Sequence, residues 1–208
     1  MAKSATAASP YHVHPAVKMV AKWVAELPEK TGRSLDEWIA FVEAKGPKEA
    51  AARRDWLKKE HGFGTNAASW IAGRADGRGW EDGDPKRYLK AAAGHVEAMY
   101  AGKKAALKPI HDRLLATGRA LGKDVRVCPC TTIVPLYRSH VFAQIKPTTL
   151  TRIDFGLALG ATKATGRLID TGGFAKKDRI THRLAITSLA DVDAEVKRWL
   201  KVAYDMDA

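Results

Sequence analysis

Cysteine is almost absent from this chain: its two copies, Cys128 and Cys130, are separated only by Pro129. Thiols that close together enclose no loop worth constraining, so a disulfide scaffold is excluded. No apolar run approaches the roughly 18 residues that mark a membrane span, and no membrane partner is expected. Residues Met1 to Pro10 are small and polar with one lysine and no apolar centre, which excludes a secretory signal and predicts a frayed tail. Also missing are a pair of CxxC units, a P-loop, a dinucleotide fingerprint and a serine in a nucleophile elbow. No cofactor is implied and no catalytic motif is complete, so the sequence leaves open whether any reaction is catalysed. The apolar fraction of 46% and charged fraction of 28% are those of an ordinary folded protein, here expected to be cytoplasmic and of bacterial type.

Acidic residues are scarce in one particular place. Between Arg119 and Arg183 twelve Lys or Arg face only Asp124, Asp154, Asp170 and Asp178. The formal net charge of +12 is therefore lopsided: residues 1–101 hold sixteen cations against thirteen acids, and residues 102–208 hold nineteen against ten. A basic segment of this kind suits a surface that meets nucleic acid, a nucleotide or a phosphorylated metabolite.

Apolar periodicity divides the chain into a helical domain over 11–74, a Gly-rich linker over 75–84 and an α+β domain over 85–208. In the first part Val13, Val17, Val20, Val24 and Leu27 recur at helical spacing and end near Pro28. Ser34 and Glu37 form a capping box for a helix carrying Leu35, Trp38, Ile39 and Val42. Two further short helices carry Trp56 and Trp70. One tryptophan per helix (Trp23, Trp38, Trp56, Trp70) suits the core of a very small domain. Four glycines between Gly73 and Gly83 mark the linker, and Asp84-Pro85 reads as a helix start. Helices follow over 85–101 and 103–121, with Pro109 kinking the second or marking its true start.

Beyond Gly122 the period changes to two. Val125 and Val127, then Val141, Ala143 and Ile145, then Ile153, Phe155, Leu157 and Leu159, then Ile180, His182, Leu184 and Ile186 alternate as strands do. Thr132 to Arg138 is a weaker strand because Pro135 interrupts it. A final helix is expected from Ser188, with Asp191 completing its cap. The fold class is thus α+β, an antiparallel sheet with helices on one face and the other face open.

Parity places His140, Phe142, Gln144, Lys146, Arg152, Asp154, Thr181 and Arg183 on the open face. Cations around an aromatic ring can hold phosphates and stack a base, whereas an ordinary solvated face would carry much the same residue types. Cys128 and Cys130, with His140 and His182, are soft enough for zinc or iron, yet His182 sits at an apolar-parity position and buried thiols explain the cysteines equally well. The stretch Thr171 to Lys177 offers glycine amides beside two lysines, either a phosphate cradle or a plain connection between strands. His111 and Asp112 point apart on a helix and make a poor dyad.

Two resemblances cover nearly the whole chain beyond the tail. Thr31-Gly32-Arg33-Ser34-Leu35-Asp36-Glu37-Trp38, Lys45-Gly46-Pro47 and Trp56 to Gly62 resemble a small bacterial helical domain of unknown function. His140 to Pro147, Arg152 to Leu157, Arg179 to Arg183 and Trp199 to Tyr204 resemble a second uncharacterised bacterial domain, distantly similar to the YdhG/YjbR-like superfamily. That resemblance implies a frataxin-like antiparallel sheet with helices on one face, in a superfamily of proposed iron chaperones and proposed DNA binders. The acidic ridge of the iron binders is missing here, where the chain is basic.

The expected function is that of a binding protein whose basic sheet face meets nucleic acid or a phosphate-bearing ligand. The alternative is a small-molecule enzyme or metal-handling protein built on His140, Asp154, His182 and the Cys128/Cys130 pair. Oligomeric state has no signature in the sequence.

Overall fold

The computed structural model describes residues 9–208; the tail expected over residues 1–8 lies outside the described residues. The chain divides into two compact units, one formed by Val13–Tyr88 and the other by the N-terminal segment to His12 together with Leu89–Ala208.

The first unit is helical. Its α1 (Pro15–Thr31) opens with His14 Nδ1 accepting from Ala16 N–H at 3.0 Å and Pro15 in the first turn. The helix runs through Pro28 rather than stopping there. Pro28 lacks an N–H, but its carbonyl still accepts from Gly32 N–H, and Gly32 sits at φ +74°, a left-handed C-terminal cap that glycine adopts without strain. Then α2 (Leu35–Lys45) carries the expected capping box: Ser34 N–H donates to Glu37 Oε2 at 2.7 Å and Glu37 N–H returns to Ser34 Oγ at 3.3 Å. Helices α3 (Ala50–His61) and α4 (Thr65–Ala75) complete a small core of Leu27, Leu35, Trp38, Val42, Leu57, Ala68, Ile71 and Ala72. Of the four tryptophans only Trp38 is buried, its Nε1 donating to Thr31 Oγ1 at 2.8 Å; Trp23 and Trp56 are half-buried against the core.

The stretch read as a linker is folded. Gly73 to Ala75 belong to α4, and Trp80–Gly83 form a 3-10 helix packed on α1. The glycines serve turns there, with Gly77 at φ +72° and Gly79 at φ +74°. The division between units falls instead at Leu89, inside α5 (Pro85–Met99).

In the second unit six antiparallel strands form one sheet in the order β1-β2-β3-β4-β6-β5, comprising β1 (Arg126–Val127), β2 (Val134–Tyr137), β3 (Val141–Pro147), β4 (Ile153–Leu157), β5 (Ile169–Asp170) and β6 (His182–Ile186). Pro135 is tolerated in β2 because its carbonyl side faces the two-residue β1, where it accepts from Cys128 N–H at 3.1 Å. On one face α6 (Lys108–Arg119) and α7 (Ala194–Asp205) cover Ala143, Ile145, Ile153, Phe155, Leu157, Leu184 and Ile186. Each large apolar side chain so buried contributes about 1.5–3 kcal/mol before entropy is counted. The α+β class follows directly.

At one helix start the structure selects between two alternatives, and at another it differs from expectation. Pro109 lies in the first turn of α6, after a 3-10 helix over Gly102–Leu107, so it marks the start rather than a kink. Ser188 and Asp191 form their box around a 3-10 turn, Leu189–Asp191, while α7 begins at Ala194 with Asp193 accepting from Val196 N–H at 3.2 Å.

Candidate functional site

The uncovered sheet face is built by register. Gln144 pairs with Gly156 and Lys146 with Asp154 across β3 and β4, while Gly156 pairs with Arg183 and Asp154 with Ala185 across β4 and β6. All these residues therefore share one face. Gly156 is required at its centre, because a Cβ there would stand 2.8 Å from both Gln144 Cγ and Ile180 Cγ2. Ile180, expected in the core, instead crosses this face.

Asp154 is the only carboxylate of that group. Its Oδ1 accepts from Arg183 Nη1 at 3.0 Å and lies 2.9 Å from Arg152 Nε. The second contact is an ion pair without hydrogen-bond alignment, since Arg152 Nε is buried with no hydrogen-bond partner. Opposite stands the exposed Lys146. Three cations around one anion leave the face positive.

Lys146 also reaches a neighbouring cleft of about 540 Å³. There Lys103 and Lys104 from the 3-10 helix over Gly102–Leu107 meet Thr132, Thr148 and Leu150, and no carboxylate lines the space. Lys104 Nζ donates to Pro147 O at 2.6 Å, which fixes its ammonium at the rim. Lysine and threonine hydroxyls with no competing acid form a surface able to hold anionic oxygens.

Not every residue expected on this face is there. Gln144, Lys146, Arg152, Asp154 and Arg183 are. Phe142 is not: it is fully buried in the core and packs edge-on against Tyr204 with ring centroids 5.6 Å apart. The cause is a register shift. Leu136 pairs with Ala143 but Tyr137 with Val141, so Phe142 is the extra residue of a bulge and strict alternation fails there. The face thus lacks its expected stacking ring. Thr181 is buried as well, its hydroxyl accepting from Leu159 N–H at 3.1 Å. The same hydroxyl lies 2.8 Å from His182 Nδ1.

The residues of the enzymatic alternative do not converge. His182 pairs with Leu157 and points into the core, whereas Asp154 points to the opposite face. His140, at the β2–β3 turn, is held by Asp207: its backbone N–H donates at 2.8 Å and its Nδ1 lies 3.1 Å from Oδ1. Asp207 is itself buried and also receives Arg179. This cluster ties the end of the chain to the sheet. Cys128 is buried, and burial pushes its thiol up to about 12, far from the thiolate that binds metals or attacks electrophiles. Among the described residues no three His, Cys, Asp or Glu side chains gather in a metal-holding group.

The Gly-rich stretch uses its own amides. Gly172 N–H donates to Asp170 Oδ1 at 2.7 Å, Gly173 N–H to Thr171 Oγ1 at 3.3 Å and Asp178 N–H to Gly173 O at 2.9 Å. Neither glycine N–H is left for a phosphate. His111 and Asp112 do point apart: the acid pairs with Lys108 at 2.6 Å, and the ring is buried beside Tyr100, its pKa pushed down to about 4 by desolvation.

Cations elsewhere in the basic segment are partly neutralised. Arg138 pairs with Asp124, Arg167 with Asp193 and Glu195, and Arg179 with Asp207. Arg119, Lys123, Arg126, Lys146, Lys163, Lys176 and Lys177 form no ion pair among the described residues. Sequence reading missed Lys103 and Lys104, the latter 43 residues from its partner Pro147, and Asp207. Only the absence of acids between Lys103 and Ile110 hinted at the former.

Residues 96–207 match a family described as a domain of unknown function, DUF5655, and residues 20–77 match a second such domain, DUF4287. No curated protein and no solved structure matches the chain significantly.

Proposed function

The chain belongs to the DUF5655 family, a domain of unknown function, and from the site alone we propose that its sheet face and adjoining cleft bind a phosphate-bearing partner. The observation that carries this reading is the position of Lys146, shared between the Arg152–Asp154–Arg183 group and a cleft lined by Lys103 and Lys104 without an acid. A phosphate in the cleft meets three ammonium groups and threonine hydroxyls; a longer anion continues along the sheet toward the two guanidinium groups. The buried Phe142 removes base stacking as a source of affinity, so recognition rests on the anion itself. The protein works as a binding module in this reading, and the partner is a phosphorylated small molecule or a nucleic-acid backbone.

Titration of the full chain with fluorescent single-stranded DNA and with inorganic phosphate, at several salt concentrations, tests the proposal. Binding is expected, and Lys103→Ala combined with Lys146→Ala weakens it by about tenfold or more, as loss of charged contacts does. A nucleic-acid partner shows log K falling linearly with log salt, by roughly 0.7 per phosphate neutralised on a single strand. A phosphorylated small molecule shows a shallow slope. Absence of binding to both probes, or affinity unchanged in the double variant, overturns the reading.

A further inference from the structure

Arg74 stands apart from the other charges of the helical unit. It is only 4% exposed, and its one side-chain hydrogen bond among the described residues runs from Nη1 to Trp70 O at 3.3 Å. No carboxylate among the described residues comes within ion-pair distance of it. Burying a guanidinium is costly unless its donors are satisfied, and only one of its five N–H groups meets an acceptor among the described residues. Asp82 and Glu81 offset part of that cost from a longer range, while burial lowers the Arg74 pKa from its ordinary value.

The side chain faces a cavity of about 230 Å³ inside the helical unit. Ala21 and Val24 of α1 and Leu35 of α2 make its apolar wall. The lining also includes Arg74, Arg87 from the first turn of α5 and the indole of Trp80, with the Arg87 guanidinium 5.8 Å from the indole centroid. Asp84 is the one acid in the lining, and its Oδ1 is already taken by Arg87 N–H at 2.7 Å. The lining thus combines hydrocarbon with cations, and the size admits a small molecule rather than a polymer.

We propose that this cavity is a binding site for a small organic carboxylate, its anionic group between Arg74 and Arg87 and its apolar body against Val24, Leu35 and Trp80. A carboxylate supplies the acceptors that the Arg74 fork lacks, in the bidentate geometry guanidinium favours. The site lies wholly within Val13–Tyr88, so it stands or falls independently of the phosphate-binding reading for the sheet.

The test uses the full chain, titrated with benzoate, formate and inorganic phosphate while the Arg74 Nε–H resonance is followed by NMR. Benzoate is expected to shift that resonance saturably and to bind more tightly than formate, because only benzoate fills the apolar wall. Arg87→Ala, a change at an exposed side chain, weakens benzoate by about tenfold; Trp80→Ala weakens benzoate but not formate; Lys58→Ala, on a distant exposed face of α3, changes nothing. Should Arg74→Gln fold, it abolishes binding; should it not fold, the Arg87 and Trp80 variants decide. Phosphate saturating in place of benzoate, formate binding as tightly as benzoate, no saturable shift with any probe, or indifference to Arg87→Ala overturns the proposal.

Discussion

The two units solve the same burial problem with unequal means. The α+β unit assembles twenty-six buried apolar residues into one core, most of them fully enclosed between sheet and helices. The core cluster of the helical unit has eight, and surrounds them with half-buried rings: Trp23, Phe41, Trp56 and Phe63. Arg33 lies over Trp38 and Phe41 at 4.9 and 4.3 Å, so even a cation is recruited to cover aromatic faces. A small domain buries a smaller fraction of its surface and has less stability to spare. The aromatic shell and the capping box are how this sequence compensates.

The contrast breaks most visibly at the cores. Phe155→Ala is expected to cost about 3–5 kcal/mol and Leu57→Ala about 2–5. The α+β unit should survive its loss with a lowered denaturant midpoint, whereas the helical unit should unfold at once. Five of the six tryptophans lie in the helical unit and Trp199 alone in the other, so fluorescence follows the former while sheet amide exchange follows the latter. Equal resistance of both units would remove the contrast.

Acid distinguishes the units next. His111 is buried and its folded pKa of about 4 lies below the ordinary 6.5, so between those values the unfolded chain binds the extra proton. Stability from this group is complete above pH 6.5 and is lost as pH falls to about 4, a loss on the order of 3 kcal/mol. Urea midpoints from sheet amide exchange should fall across that window, and His111→Leu should flatten the fall. His14, in the helical unit, is also lowered by burial, so its midpoint should drift in the same direction.

The finest comparison concerns Ser34→Ala. Losing the Ser34 cap should cost about 1 kcal/mol, visible as an earlier fluorescence transition with sheet exchange unaltered.

Much of this architecture is legible in sequence because local patterns dominate it: the Ser34–Glu37 box, the stripe of α1, the alternation of β4 and β6. What escaped is non-local or depends on backbone irregularity. Phe142 has the parity of Gln144 and Lys146, and only the bulge turns it inward. Ser188 and Asp191 satisfy the chemistry of a helix start, yet serve a single 3-10 turn. Glycines at 77 and 79 mark bends that bring Trp80 back onto α1, and Arg74 is the last residue before what looks like spacer. His140 and Asp207 lie 67 residues apart, and no spacing rule joins them.

One further feature governs how this protein can be cut. Tyr11 packs against the sheet core, Pro10 O accepts from Arg119, and His12 exchanges two hydrogen bonds with Val127, N–H to O at 2.8 Å and Nδ1 from N–H at 3.2 Å. One of the sheet's two edge strands, β1, is therefore seamed by chain that precedes the entire helical unit. A fragment begun at residue 85 would carry every strand and still have a raw margin at Val127, ready to zip onto another molecule. Splicing residues 9–12 back in front of it should restore a monodisperse sheet.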